Sequence, residues 1–199
     1  MMTLFHAPRS RSSRILWLLE ELDVSYDLKI VSIKRGDGTG APDPANKHPF
    51  GKVPALIHDG ALVYETPAIA QYLTDLFPEK KLAPRIGDPA RGPYLTWLAY
   101  STGVLEPSLM MARLGVKHVP GAMGWGPKED VEAHLNASLG ASPYFLGDTF
   151  SAADIVMGGS VTFMMKFGMM AETPVLKSYA ARITSRPAFA RAEAKDTAA

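Results

Sequence analysis

The chain contains no cysteine among its 199 residues. This absence excludes disulfides, thiolate metal sites and any redox step that uses a thiol of the protein itself. If thiol chemistry takes place here, the thiol must belong to a ligand. The 5 histidines are scattered without the spacing of metal ligands, so we predict no metal site. The sequence also lacks a phosphate-binding loop, a nucleophile elbow and a paired-glycine dinucleotide signature.

The chain has little net charge, at +1. This value argues against a general binder of nucleic acid or of anionic membranes. No apolar run approaches the length of a membrane span, and the first residues do not resemble a signal peptide. Hydrophobic residues make up 47% and charged residues 21%, as in an ordinary globular protein, and we expect a cytoplasmic one.

The most informative stretch runs from residue 47 to residue 73. Two apolar, partly β-branched runs, 53–57 and 61–64, flank the dipeptide Asp59-Gly60, which predicts a β-hairpin. Apolar residues at helical spacing follow directly and predict a helix. Thr66 is a suitable N-cap for that helix, and Pro67 suits its first position, where a missing N–H is no loss.

Two features of this stretch suit a small peptide ligand. Pro54 stands at the start of a predicted strand, where a proline is tolerated because no ladder donor is lost. If the Val53–Pro54 bond is cis, the main chain of Val53 faces outward and can pair with an extended peptide. Thr66 offers a hydroxyl and a helix N-terminus to a carboxylate, and Glu65 beside it can pair with an ammonium group.

The motifs FGKVPAL (50–56) and ETPAIAQYL (65–73) resemble the glutathione-binding signature of cytosolic glutathione transferases. The resemblance implies that Val53, before the proline, pairs with the cysteinyl backbone of glutathione. It also implies that Glu65 and Thr66 hold the γ-glutamyl group, although the family usually has serine where Thr66 stands. The resemblance covers nearly the whole chain and is weakest between residues 115 and 127. Glutathione is then a co-substrate, and no metal is implied.

A helix with an apolar face from Ile15 onward is predicted after a serine-rich segment. In this family the bound thiol ionises near such a helix start, where its pKa falls below the ordinary value of about 8.5. The spacing in the serine-type theta and delta classes points to Ser10. Counting as in the zeta and beta classes lands on Arg9, which cannot play the part, and Ser12 is the fallback. The alternative is that these serines only cap the helix.

The predicted order β-α-β-loop-β-β-α matches a thioredoxin-like domain, and the remainder is mainly helical, so we predict an α+β protein. The expected boundaries are a glutathione-binding domain at 1–78, a linker at 79–91 and a helical domain at 92–199. Helices are predicted at 93–114, 128–139, 152–167 and 175–185. The loop at 115–127 is either a cover over a site or a plain excursion between helices.

Further site residues follow from the resemblance. Lys34 and Lys52 are candidates for binding the glycyl carboxylate of glutathione, or are ordinary solvated lysines. The electrophile is expected to contact the first helix of the helical part, and the candidates there are Trp97, Tyr100, Met110, Met111 and Arg113. A cluster of soft, adaptable methionines suits a promiscuous apolar pocket, although most of the 10 methionines are expected in the core.

The resemblance implies a bacterial-type, serine-type transferase that joins the glutathione thiolate to hydrophobic electrophiles, a detoxifying activity, in a homodimer. Two alternatives stay open. One is a zeta-type isomerase that uses glutathione, although the fuller zeta motif is absent. The other is a non-catalytic binding or regulatory protein that keeps the fold. Separately, Ser151 and Asp154 form a predicted capping box, which serves folding and not catalysis.

Overall fold

The computed structural model describes residues 1–198, which fall into two compact units. The first unit consists of Met1–Lys80 together with the segment from Ser185 on, and the second is Lys81–Thr184. The boundaries expected from sequence placed the last segment in the helical part of the chain. In the structure this segment belongs to the first unit. No helix within residues 1–198 combines the length and the apolar character that a membrane crossing requires.

The first unit is built on a four-stranded sheet of order β2-β1-β3-β4. Its elements are β1 (Met2–His6), α1 (Ser12–Leu22), β2 (Asp27–Ile30), β3 (Ala55–His58), β4 (Ala61–Tyr64) and α2 (Thr66–Leu76). Strands β1 and β2 are parallel, whereas β3 is antiparallel to both β1 and β4. This mixed sheet with its helices confirms the predicted thioredoxin-like fold.

The apolar spacing of α1 explains its place against the sheet. Ile15, Leu16, Leu18, Leu19 and Leu22 are all fully buried. Removing such side chains from water stabilises the unit by about 1.5–3 kcal/mol each. Strand β3 begins two residues later than predicted, so Val53 and Pro54 precede the ladder.

The helix α8 (Pro187–Ala198) explains why the C-terminal segment belongs to the first unit. It packs along α1, where the rings of Trp17 and Phe189 meet edge to face at 5.0 Å. Arg186, just before α8, binds both carboxylate oxygens of the part-buried Glu21, at 2.6 and 2.8 Å. A bidentate pair of this kind fixes geometry as well as adding energy.

The second unit is helical. Its helices are α3 (Arg91–Tyr100), α4 (Glu106–Arg113), α5 (Lys128–Ala141), α6 (Ala152–Lys166) and α7 (Pro174–Thr184). A π-helical turn, Ser101–Leu105, separates α3 from α4, so the helix predicted over 93–114 is not regular throughout. Pro107 follows this turn and cannot donate a hydrogen bond to the carbonyl of residue 103, which favours a local departure from α-helical geometry.

The predicted capping box at the start of α6 is confirmed. The Ser151 hydroxyl accepts the Ala153 N–H at 3.2 Å, and Asp154 Oδ2 accepts the Ser151 N–H at 2.9 Å. Asp154 also accepts the Phe145 N–H at 3.0 Å and the Tyr179 hydroxyl at 3.2 Å through Oδ1. The carboxylate therefore links α6 to α7 and to the preceding loop, which is more than a local cap does.

Candidate functional site

Three segments of the first unit leave the sheet at the same edge, the one formed by the C-terminal ends of β1 and β4 and the N-terminal end of β3. Phe5 of β1 lies opposite Ala55 at the start of β3, and Ala55 lies opposite Tyr64 at the end of β4. The residues after β1, before β3 and after β4 therefore emerge at the same edge. They carry the predicted site residues Ser10, Lys52, Val53, Pro54, Glu65 and Thr66. Residues that are distant in sequence thus share one rim of the sheet.

The peptide bond between Val53 and Pro54 is cis, the condition that the sequence left open. The Val53 side chain is buried and packs with Phe5 and Ala7, so its main chain, not its side chain, is the part suited to a ligand. Sequence analysis missed Asn46, whose amide donates to the Lys52 carbonyl at 2.9 Å. This bond holds the loop next to Val53, and no local pattern in the sequence marks it.

The helix after β4 begins one residue earlier than predicted. Thr66, expected as the N-cap of α2, is its first residue, and Glu65 takes the capping position without a side-chain hydrogen bond. Pro67 remains within the first turn, where its missing N–H costs nothing. Glu65 is exposed and has a φ of +70°, in the left-handed region that favours glycine. Such strained positions recur at ligand-binding sites.

His48 lies near this edge, with its ring 5.2 Å from that of Tyr64. Its Nδ1 accepts the Phe50 N–H at 3.1 Å, which stabilises the turn before Val53. Burial lowers the pKa of His48, an effect opposed by the charge of Glu65 and reinforced by that of Lys52. The lowered pKa favours the neutral ring, which accepts a hydrogen bond through Nδ1.

Of the two candidate serines, the structure exposes only one to a ligand. Ser10 is partly exposed, whereas Ser12 is fully buried. The Ser10 Oγ accepts the Ser12 N–H at 3.2 Å and lies 2.8 Å from the Ser12 Oγ. Ser10 thus caps the start of α1 and also presents a partly exposed oxygen at the sheet edge.

The predicted carboxylate-binding lysines are both exposed. The main chain of Lys52 is held through its carbonyl, as described. Lys34 lies in the loop after β2. The neighbouring Arg35, which sequence analysis did not single out, reaches the loop after β1 and donates to the Pro8 carbonyl at 3.0 Å. Arg35 is therefore a further cation beside the segment that carries Ser10.

The electrophile candidates lie in the second unit and are divided among three environments. Trp97 stacks on His134 at 5.3 Å and contacts the rings of Tyr100 and Phe145. Burial raises the pKa of Tyr100. Arg113 donates to the Phe167 carbonyl at 3.2 Å, beyond the end of α6. The two aromatic side chains and the arginine thus have structural contacts of their own.

Met111, the fourth of these candidates, lines a cavity of about 160 Å³ between α4 and the loop at 115–127. The loop is held by the Ser108 hydroxyl, which donates to the Gly126 carbonyl at 2.9 Å, and by His118, whose Nε2 lies 2.7 Å from the Trp125 carbonyl. Met110 lies beside Met111 and is also partly buried. The loop covers a small apolar space within its own unit.

The described residues contain no group of three or more histidine, aspartate or glutamate side chains placed to hold a metal ion. A thioredoxin-like sheet carries a cis-proline loop, an acidic and a hydroxyl residue at a helix N-terminus, and a serine opening the first helix. A helical unit accompanies it. These features define the class of proteins that join a thioredoxin-like unit to a helical one.

Comparison with known proteins identifies the family. Residues 1–75 match the family description "Glutathione S-transferase, N-terminal domain". "Glutathione S-transferase 3" of Schizosaccharomyces pombe is 31% identical over 173 residues, which cover 77% of this chain and 70% of that protein. "Disulfide-bond oxidoreductase YfcG" of Escherichia coli is 29% identical, over 96% of this chain and 94% of that protein.

Solved structures agree with the sequence comparison. A sphingomonad glutathione S-transferase complexed with glutathione superposes with a TM-score of 0.79 at 25% identity, covering 99% of this chain and 100% of that one. The chain therefore belongs to the glutathione S-transferase family and is a glutathione transferase.

Proposed function

We propose that the protein conjugates glutathione to hydrophobic electrophiles, with Ser10 as the residue that assists the thiol. The observation that carries this proposal is the convergence of the segments bearing Ser10, Val53 and Thr66 at one edge of the sheet, set by the register of β1, β3 and β4. A tripeptide has a backbone, a charged head group and a thiol, and each of these segments offers a partner for one of them.

The proposed roles follow the chemistry of each group. The main chain of Val53 pairs with the cysteinyl backbone of glutathione. Thr66 and the N-terminus of α2 bind the γ-glutamyl carboxylate, and Glu65 pairs with its ammonium group. Lys52 is the residue we propose for the glycyl carboxylate, with Lys34 as a second cation, because both side chains are exposed.

In the reaction, the glutathione sulfur gives up its proton and attacks an electrophilic carbon. A carbon–sulfur bond forms, and a leaving group departs with its electron pair or a conjugated double bond takes up the electrons. Ser10 donates a hydrogen bond to the thiolate, which lowers the pKa of the thiol together with the start of α1. We further propose detoxification as the role, a homodimer as the assembly and the cytoplasm as the location.

The electrophile is proposed to contact the helices α3 and α4, through the residues predicted from sequence. These are Trp97, Tyr100, Met110, Met111 and Arg113. The aromatic and methionine side chains offer apolar, polarizable surface, which suits electrophiles of varied shape.

Substituting Thr66→Val is expected to weaken glutathione binding about tenfold, because a hydrogen bond to a charged group contributes about 1.5–3 kcal/mol. Titration calorimetry with glutathione measures the change. Thr74→Val is the matched control, since Thr74 lies in the same helix and its hydroxyl donates to the carbonyls of Ala70 and Gln71 within that helix. Equal affinity for the Thr66→Val and Thr74→Val proteins would contradict the assignment of Thr66.

The proposed function is tested by binding and turnover together. We expect the protein to be retained on immobilised glutathione and to conjugate a generic chromogenic aryl halide. Retention without turnover, over a panel of aryl halides and conjugated enals, would favour the non-catalytic alternative. Absence of both would refute the proposal.

A second candidate is glutathione-dependent reduction of disulfides, favoured by the relative named as a disulfide-bond oxidoreductase. The chain has no cysteine, so both electrons would come from two glutathione molecules, which leave as glutathione disulfide. Turnover of a small mixed disulfide at a rate exceeding that of every electrophile tested would favour this reaction over conjugation.

A further inference from the structure

Ionising a thiol leaves a proton that must go somewhere. A serine hydroxyl can pass a proton on but cannot keep one. The proton therefore goes either to solvent or to a basic group that lies behind Ser10. In the first unit Ser12 and His6 lie behind Ser10, joined to it by hydrogen bonds, and the ring of His6 lies beside the Asp196 carboxylate of α8.

The contacts between these side chains follow one another from Ser10 to Asp196. Ser10 Oγ lies 2.8 Å from Ser12 Oγ, and Ser12 Oγ lies 2.8 Å from Nδ1 of His6. The Nε2 of His6 lies 3.0 Å from Oδ1 of Asp196, an ion-pair separation in which the N–H is not directed straight at the oxygen. His6 and Ser12 are fully buried, so Ser10, which is partly exposed, is the outer end of the chain.

The hydroxyl of Ser12 has one proton and two lone pairs to share. One lone pair accepts the Ala7 N–H at 3.1 Å. With neutral His6, Ser12 donates to Nδ1 and accepts from Ser10, whose free lone pair then points outward. With protonated His6, Nδ1 donates to Ser12, Ser12 donates to Ser10, and the Ser10 hydroxyl points outward. In both arrangements the hydroxyls of Ser10 and Ser12 and the Nδ1 of His6 have partners, and the second arrangement holds one more proton than the first.

Asp196 stabilises the arrangement in which His6 is protonated. Its oxygens accept the Arg9 N–H at 3.1 and 3.2 Å, and the Ser13 hydroxyl donates to Oδ1 at 2.6 Å. Burial alone raises the pKa of Asp196, but these bonds and His6 outweigh it and lower the pKa below the ordinary value. The neighbouring Lys195 is bound to Glu20, so its charge is engaged there. An anion therefore faces the Nε2 of His6.

We propose that His6 takes up the proton of the glutathione thiol through Ser12 and Ser10, and that Asp196 stabilises the resulting charge, which makes both of them positioning residues. The thiol proton moves to Ser10, the Ser10 proton to Ser12 and the Ser12 proton to Nδ1 of His6. The product is a thiolate facing an outward Ser10 hydroxyl, and an imidazolium beside the Asp196 carboxylate. This inference rests on the proposed function, because it needs glutathione at Ser10.

The test compares two signals when glutathione binds in weakly buffered solution. Ultraviolet absorbance counts the thiolate formed, and a pH indicator counts the protons released. The wild-type protein is expected to release clearly less than one proton per thiolate. His6→Asn keeps an acceptor for the Ser12 hydroxyl but cannot bind a proton, so each thiolate it forms should release one proton. The pKa of its bound thiol should rise by about one unit, and kcat below pH 7 should fall about tenfold with the KM for glutathione unchanged.

His58→Asn is the matched control. His58 also bonds a hydroxyl through Nδ1, that of Tyr72 at 2.7 Å, and its Nε2 lies 3.6 Å from Asp59. It pairs with Met2, at the opposite end of β1 from His6. This variant should retain the wild-type proton count and thiol pKa.

Asp196→Asn provides a second variant in case His6→Asn does not fold, since an amide oxygen can still accept from Arg9 and Ser13. It should shift the proton count and the thiol pKa in the same direction. One proton released per thiolate in the wild type, or a wild-type thiol pKa in folded His6→Asn and Asp196→Asn proteins, would overturn the relay and leave the proposed function standing. A wild-type protein that binds glutathione without thiolate or turnover would refute the proposed function instead.

Discussion

Ser10→Ala is expected to lower kcat about 100-fold while changing the KM for glutathione little. The Ser10 hydroxyl is partly exposed at the start of α1, whereas Ser12 is fully buried and the Ser13 hydroxyl donates to Asp196. Removing a single preorganised donor from a developing anion costs a factor of about 10²–10³ in rate. In the proposed mechanism this donor acts on the thiolate and not on the peptide, so the loss is expected in kcat. Steady-state kinetics with an aryl halide and a glutathione titration measure both quantities.

The control for Ser10 is Ser25→Ala, which removes an exposed serine hydroxyl elsewhere in the first unit. It should behave as wild type. Ser12→Ala is informative in a different way, since Ser12 is buried and can affect the thiol only through Ser10 and His6. A wild-type kcat in Ser10→Ala would remove Ser10 from the mechanism, whatever the result for Ser12.

Asp154→Ala is expected to destabilise the second unit by about 4 kcal/mol. Asp154 is fully buried and accepts from the Phe145 N–H, the Ser151 N–H and the Tyr179 hydroxyl. Each buried donor left without a partner costs about 1–3 kcal/mol. This exceeds the ~1 kcal/mol that a solvent-exposed cap contributes. Urea unfolding followed by circular dichroism gives the change in midpoint and in free energy.

Asp130→Ala is the control for that experiment. Asp130 is the third residue of α5, as Asp154 is of α6, but it is exposed. It should cost about 0.5 kcal/mol, the usual effect of an acid near a helix N-terminus. If the two alanine variants lost the same stability, the buried network around Asp154 would not stabilise the unit as described.

The stability of the protein should also depend on pH through Asp154. Burial raises the pKa of Asp154 to about 6, against the hydrogen bonds that lower it. The native state therefore holds this proton more tightly than the unfolded state does. The resulting stabilisation amounts to roughly 3 kcal/mol. It is fully present below about pH 4 and is lost as the pH rises to about 6. Urea midpoints across this range should show the loss in the wild type and not in Asp154→Asn.

Local sequence patterns predicted the elements that form from neighbouring residues. The Asp59-Gly60 dipeptide predicted the hairpin, and the spacing after Ile15 predicted the buried face of α1. The capping box of Ser151 and Asp154 was read directly, because its partners lie three residues apart. The predicted element boundaries were wrong by one or two residues. Thr66, for example, was expected as the N-cap of α2 and is its first residue.

Long-range contacts could not be predicted in the same way. Asp196 contacts His6 and the backbone of Arg9, almost the full length of the chain away, and no periodicity links them. The choice between Ser10 and Ser12 likewise depended on burial, which depends on what packs over each hydroxyl. Asn46 was missed because its bond to the Lys52 carbonyl depends on the path of a loop.

The sequence by itself determined that any reactive thiol must come from a ligand, and it predicted the thioredoxin-like order of strands and helices. Only the tertiary structure decided that the last helix belongs to the first unit and that its Asp196 faces a histidine buried behind Ser10. The physical reason is that hydrophobic spacing and caps act within a few residues. A buried charge, by contrast, finds its partner only after packing brings α8 against α1.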